Sequence, residues 1–419
     1  GANQKNEQEL ITLISVETGK PLWESKQEVQ AMHAKIDISI EAFQERCPSK
    51  VFTKGETHHE VYHQPLGVIC IIGPFNFPAH LPNGHIIPAL LAGNTIVFKP
   101  SELTPKVGIK LMSLLEGAGL PKGVVSLVQG GKLVGQTLCT LPFNGYFFTG
   151  SYETGNQIKK NCPENALLAL EMGGNNALIV SSVESEKAAA YTMLQSAFIS
   201  AGQRCTCARR IILIESEQTQ SILEWFIHFT KNLLVGHYSD TPEPFMGPLA
   251  NPQLKETIQE HILLLKRYNA EVLLEPKFLE DPNGYLSPII IDISNLSHFL
   301  PDHELFAPLT HIMIVKTLEE AISVSNQSNY GLSASILSTD KTEFEKAKEE
   351  LHVGLLNWNL PTTGASSKLP FGGLGKSGNF RPSAYYASDY CSYPMSSMQR
   401  KTLHFPDVLP PGLTDGRPY

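Results

Sequence analysis

Four short apolar runs, at 68–72, 95–98, 124–128 and 145–148, constrain this chain more than any other feature. Each is apolar on consecutive residues rather than on alternate ones. That pattern belongs to strands covered on both faces, the situation in a parallel sheet. The stretches between them, at 81–91, 105–116 and 132–140, read as helices. This β-α-β-α alternation predicts a doubly wound parallel sheet. A second series starts at 176–180. It continues through strand candidates at 211–214, 271–274 and 289–291 and helices at 184–199, 218–233 and 254–268. Ahead of both series, Leu10, Ile11, Leu13, Ile14 and Val16 mark one helix face, and a second helix covers 29–45. The segment 58–64 then reads as an extended edge strand.

A chain of 419 residues exceeds one ordinary core, so two or three domains are expected. Its net charge of −8, with no basic tract interleaved with aromatics, argues against nucleic acid as a partner. Seven scattered cysteines suggest no disulfide framework and fit a reducing, cytoplasmic compartment. Cys205 and Cys207 stand without a second Cys or His cluster, so no metal site is expected. No apolar run approaches the roughly 18–20 residues that span a bilayer, so no membrane partner is expected. The opening residues, Gly1 to Lys5, hold no apolar signal core.

The residues that suggest chemistry lie in loops after these elements. Cys205 sits in Gly202-Gln203-Arg204-Cys205-Thr206-Cys207, just past a helix. A thiolate attacks carbonyl carbon, and the adjacent Arg204 would raise the thiolate fraction. Taken alone, Cys205 also fits a buried structural thiol. Glu171 ends the run 166–170 and precedes Gly173-Gly174, where a carboxylate can reach a cleft and activate water. A surface Glu at a strand end is the plain alternative. Asn76, in Gly73-Pro74-Phe75-Asn76-Phe77-Pro78, follows the first strand. Ligands bind at that end of parallel strands, and an amide there can stabilise an oxyanion. A turn-forming Asn beside Pro78 fits as well.

Lys99, Ser101 and Glu102 follow the second strand. A carboxylate there accepts from ribose hydroxyls and repels a 2′-phosphate, which favours NAD over NADP. The same stretch suits a helix start capped by Ser101 or Thr104. Thr149, Gly150, Ser151, Thr154 and Gly155 span a strand-to-helix turn whose N–H groups can hold a pyrophosphate. Glu304 and Phe306 are candidates for the nicotinamide half.

The motifs PFNFP, FKPSE, FTGS, LEMGG, GQRC, ELFAP and LPFGGLGKSG occur in that order. In this the chain resembles the aldehyde dehydrogenase superfamily, from about residue 10 to 405. The resemblance implies two doubly wound domains and a small oligomerisation element. It places the cofactor domain at 1–172 (with 50–64 in the oligomerisation element) and the catalytic domain at 173–358. Residues 359–386 return to the cofactor domain, and 387–419 form the oligomerisation arm and tail. It makes Cys205 the nucleophile, Glu171 the base, and Asn76 with the Cys205 N–H the oxyanion hole. Ile72, Pro74 and Phe75 join the residues above as NAD contacts. A homodimer or homotetramer is implied.

Three stretches narrow the resemblance. They are Glu171-Met172-Gly173-Gly174-Asn175-Asn176, the segment 203–210, and the segment 377–386. The implied substrate is N-succinylglutamate 5-semialdehyde of bacterial arginine catabolism. Succinate or glutamate semialdehyde is the neighbouring possibility, and a non-catalytic protein on this scaffold the distant one. The substrate's carboxylates call for local cations, and Arg204 and Arg381 are the candidates. Either arginine equally suits bracing a loop. Two departures from the family pattern stand out. Ala307 replaces a usual Gly, which would shift the nicotinamide end, and the family's first residues, which normally begin the cofactor domain, have no counterpart in this sequence.

Overall fold

The structure is a computed structural model and describes residues 2–277, 284–296, 301–414 and 416. Its first sheet has five strands in the order Val125–Leu127, Thr95–Lys99, Val68–Ile72, Gly145–Gly150 and Leu167–Met172, all parallel. Alternate residues of one strand serve opposite cores. Ile69, Ile71 and Phe147 pack with Leu10, Ile14, Val29 and Ile86 from the helices Ala2–Thr18, Leu22–Arg46 and His80–Leu91. Cys70, Ile72, Tyr146 and Phe148 pack on the other face with Leu138 and Ile158. Burial on both faces is why these strands are apolar at every position.

The second sheet has seven strands, ordered Glu271–Leu274, Ile289–Asp292, Leu309–Val315, Ala208–Ile214, Asn176–Val180, Ser333–Leu337 and Leu355–Trp358. It is parallel except at one edge, where Glu271–Leu274 runs antiparallel to Ile289–Asp292. No helix joins those two strands among the described residues, and antiparallel neighbours need no crossover. The expected fold class, two doubly wound α/β units with a small extra element, is present with this one reversed edge.

The extra element corrects one expectation. Thr57–Pro65 is not an edge strand but the centre of a three-stranded antiparallel sheet, between Lys50–Lys54 and Ser392–Gln399. Gly55, at φ +59°, makes the hairpin turn that a side chain would strain. Val51, Phe52 and Met398 stay more than half exposed on it. Residues 415 and 417–419 of the expected arm lie outside the described residues.

Between the second sheet and that arm, the chain recrosses to the first sheet. Met172 N donates to Ser377 O at 3.0 Å. The Asn379 side chain accepts from Leu170 N at 3.0 Å and donates to Leu168 O at 2.8 Å. The open edge of the strand bearing Glu171 is thereby paired, which fixes its end.

Candidate active site

The carboxyl ends of the first sheet's strands open into a cavity of about 870 Å³. Ile72, Pro74, Phe75 and Asn76 line it after the central strand, and Lys99, Ser101 and Glu102 after the next. Thr149, Gly150, Ser151 and Thr154 line it beyond the strand Gly145–Gly150. Glu171, Cys205, Glu304 and Phe306 close its inner end. Residues spread over more than two hundred positions thus share one space.

The Cys205 loop follows the helix Glu186–Phe198 through a tight turn. Ser200, Ala201 and Gly202 all take left-handed backbone, at φ 54°, 54° and 67°. For Ser and Ala this costs about 1–2 kcal/mol each. A β-carbon on Gly202 would lie 2.1 Å from the Ala307 carbonyl oxygen, so the turn presses on the segment that carries Phe306. Ala307, the departure noted in the sequence, is itself buried there. Two amides steady the loop. Asn176 Nδ2 donates to the carbonyls of Cys205 and Cys207 at 2.7 and 2.9 Å. Asn76 Nδ2 donates to the Gln203 carbonyl at 2.9 Å, which sets its amide against the Cys205 loop.

Cys205 keeps partial exposure, toward the cavity it lines. Burial pushes its thiol well above the usual range, and the neighbouring Glu304 and Glu171 add to that. Arg209 is the cation that opposes the rise. Here the sequence expectation needs correction, because Arg204 turns away from the thiol. Its guanidinium pairs with the buried Glu24 at 2.9 Å and donates to Ser200 Oγ at 2.8 Å. It does not line the cavity either. Adjacency along a chain does not set side-chain direction, and a buried carboxylate claimed the charge.

Glu171 is buried at the end of its strand. Its Oε1 accepts from Ser383 N at 3.2 Å, while Oε2 is buried without a partner among the described residues. Burial raises its pKa well above the carboxylate range, against the Ser383 N–H and the charge of Lys35. Gly173 leaves room for a second carboxylate, that of Glu304, which pairs with Arg209 at 3.4 Å. Burial lifts Glu304 to about 7 despite that partner.

At the outer end, Lys99 Nζ donates to Pro100 O at 3.0 Å and lies 3.7 Å from Glu102, whose carboxylate is exposed. Ser151 accepts from Thr154 N at 3.3 Å and so caps the helix Tyr152–Asn161. Gly155 departs from expectation: it does not line the cavity, and its N–H donates to Ser151 O at 3.0 Å within the helix. A β-carbon there would sit 2.4 Å from Met172 Sδ, so its glycine allows helix and sheet to close. Arg381 is exposed and also outside the lining.

Sequence reasoning missed four contributors: Lys35, His85, Arg209 and Ser383. Lys35 lies in a helix rich in polar residues, where a lysine reads as solvated surface. Ser383 acts through its backbone, which no side-chain motif announces.

An arrangement like this suits an enzyme that oxidises a carbonyl held on a thiol, with a nucleotide cofactor in the outer half of the cleft. The chain belongs to the aldehyde dehydrogenase family, whose model matches residues 2–395. It is 45% identical to the N-succinylglutamate 5-semialdehyde dehydrogenase of Yersinia pestis, over 98% of this chain and 82% of that one. A betaine aldehyde dehydrogenase from Staphylococcus aureus, solved with NAD+, superposes with a TM-score of 0.88 at 25% identity, over 96% of this chain and 81% of that one. A glyceraldehyde-3-phosphate dehydrogenase from Methanocaldococcus jannaschii, solved with NADP, superposes with a TM-score of 0.87 at 26% identity, over 95% and 87%.

Proposed function

We propose that the protein oxidises N-succinyl-L-glutamate 5-semialdehyde to N-succinyl-L-glutamate with NAD, a step of arginine catabolism. The observation that carries this reading is the meeting of Cys205, Asn76 and Glu171 at the inner end of one cavity. Similarity to the named Yersinia dehydrogenase supplies the substrate.

The thiol of Cys205 adds to the aldehyde carbon after losing its proton, and the carboxylates of the cavity are the available acceptors. The new alkoxide lies against Asn76 and the Cys205 N–H. Asn76 Nδ2 spends one hydrogen on Gln203 O and keeps the other for the oxyanion. One such donor contributes roughly 3–4 kcal/mol to the barrier. NAD, when bound, supplies the hydride acceptor. For it the chain offers the Glu102 carboxylate and Lys99 toward ribose hydroxyls, N–H groups at the helix start after Gly150, and Glu304 and Phe306 toward the nicotinamide end. Cys205 is left as a thioester. Glu171 then takes a proton from water, hydroxide adds to the acyl carbon, and the Cys205 thiolate leaves.

We place the domain boundaries at 172/173, 358/359 and 386/387, a division supported by the grouping of strands into two sheets. Assembly into a homodimer or homotetramer through the three-stranded sheet fits its exposed Val51, Phe52 and Met398. Seven free thiols fit the cytoplasm. No helix among the described residues is long and apolar enough to cross a membrane.

Rapid mixing with NAD and the semialdehyde tests the chemistry. Cys205→Ala should give no NADH. Glu171→Gln should give one burst of NADH and then stall as an acyl-enzyme visible by mass spectrometry. Full steady-state turnover in Glu171→Gln would remove Glu171 from the hydrolytic step. A higher kcat/KM on succinate or glutamate semialdehyde would move the substrate and leave the mechanism.

A further inference from the structure

The cavity contains a cation that the mechanism above leaves unused. Lys35 belongs to the helix Leu22–Arg46, yet it is buried and lines the inner cavity together with Glu171. Its ammonium has three hydrogens and, among the described residues, makes one hydrogen bond, to Ser367 Oγ at 3.3 Å. Space for it comes from Gly84 in the helix His80–Leu91. A β-carbon on Gly84 would lie 3.2 Å from Lys35 Cε. A glycine inside a helix costs about 1 kcal/mol relative to alanine, so this opening has a real energetic cost.

The same cavity holds the orphan oxygen of the site. Glu171 Oε2 is buried with no hydrogen-bond partner among the described residues. Burying an unpaired carboxylate is costly, and a nearby cation offsets it. The other cations of the cavity serve elsewhere: Lys99 sits with Glu102, and Lys132 is exposed on its outer wall. His80 and His85 face Lys35 from the helix His80–Leu91, and burial holds both to about 3, so they stay neutral. Tyr390 and Cys205 sense the Glu171 charge, Glu304 stands against Gly173, and Glu153 and Glu102 line the same cavity; none brings positive charge.

We propose that Lys35 is a positioning residue for Glu171, its ammonium stabilising the carboxylate form that takes a proton from water during thioester hydrolysis. The proposal rests on Glu171 being the hydrolytic base. Lys35 remains charged through the step, and no bond to it forms or breaks. Burial brings Lys35 down to about 8 while Glu171 opposes the fall, so the ammonium persists at neutral pH.

The test compares Lys35→Met, Lys35→Gln and Lys35→Arg in the full chain, with NAD and N-succinylglutamate 5-semialdehyde across pH 5.5–9. The NADH burst should survive in all three, because acylation does not need Lys35. Without the ammonium the carboxylate protonates more readily. The acid limb of steady-state kcat should therefore move up by at least about one pH unit in the Met and Gln variants, a loss of about tenfold on that limb. Lys35→Arg should restore the limb. Thermal melts accompany each variant, and Gln replaces Met as the readout if Met does not fold. An unmoved acid limb in a folded variant with an intact burst overturns the proposal. So does a rise in KM for this substrate alone, which would make Lys35 a reader of substrate carboxylate. Glu171→Gln in the same series separates the two readings. If it stalls while the Lys35 limb stays put, only the role of Lys35 fails; if it turns over freely, the base assignment itself is wrong.

Discussion

Gly173 and Glu304 occupy one place between them: a β-carbon on Gly173 would lie 1.7 Å from Glu304 Oε2. The glycine after the Glu171 strand therefore exists, in part, to admit a carboxylate from a segment over a hundred residues away. Gly173→Ala should push Glu304 out of the inner cavity and break its pair with Arg209. Overpacking of this kind costs about 1–3 kcal/mol. Steady-state kinetics should show a loss in kcat, and NAD titration a weaker fit. An alanine variant with wild-type kinetics would mean that Glu304 moves aside in the working enzyme.

Glu171 links activity to stability through pH. Its pKa is raised in the folded protein, mainly by burial. A carboxyl raised on folding contributes stability below its unfolded pKa, near 4.3, and loses it as pH climbs through the folded value. Glu171→Gln removes the cost of ionisation. Its Tm should exceed that of the wild type at pH 8, with the gap shrinking at pH 5, at up to about 1.4 kcal/mol per pH unit in the window. Calorimetry at the two pH values checks this; a constant gap would contradict it.

Arg204 is expected to matter for folding rather than for recognition. Its partner Glu24 is buried, and Glu24 Oε2 lacks a hydrogen-bond partner among the described residues. Arg204→Met leaves that carboxylate uncompensated, at about 3–5 kcal/mol. Chemical denaturation should show the loss. Residual activity should fall alike on a dicarboxylate semialdehyde and a neutral aldehyde. Selective loss on the charged substrate would restore Arg204 as a carboxylate reader.

Glu102 is exposed at the outer end of the cleft with Lys99 behind it. Its negative charge should exclude a 2′-phosphate. Glu102→Gln should raise kcat/KM for NADP by about tenfold, the effect of about 1.4 kcal/mol less repulsion, while NAD is used less well. Unchanged cofactor preference would place the discrimination elsewhere.

Much of the site was legible because its parts follow strand ends. A ligand cleft lies at the carboxyl ends of parallel strands, and Asn76, Lys99, Thr149 and Glu171 each follow or end an apolar run. Order along the chain then mapped onto position around one cavity. Gly155 shows the limit of that logic: its place in the motif is right, but its missing side chain serves the approach of a helix to Met172.

The sequence by itself determined the central strands, most helices and the place of the Cys205 loop, since burial on both sheet faces and helical spacing are written in local patterns. Tertiary structure alone decided which charges meet. Arg204 went to Glu24, Lys35 entered the cavity that Glu171 lines, and Ser392–Gln399 paired with Thr57–Pro65. Such contacts join residues more than a hundred positions apart, and a charge buried by distant elements takes the partner that they bring, not the one beside it in the chain.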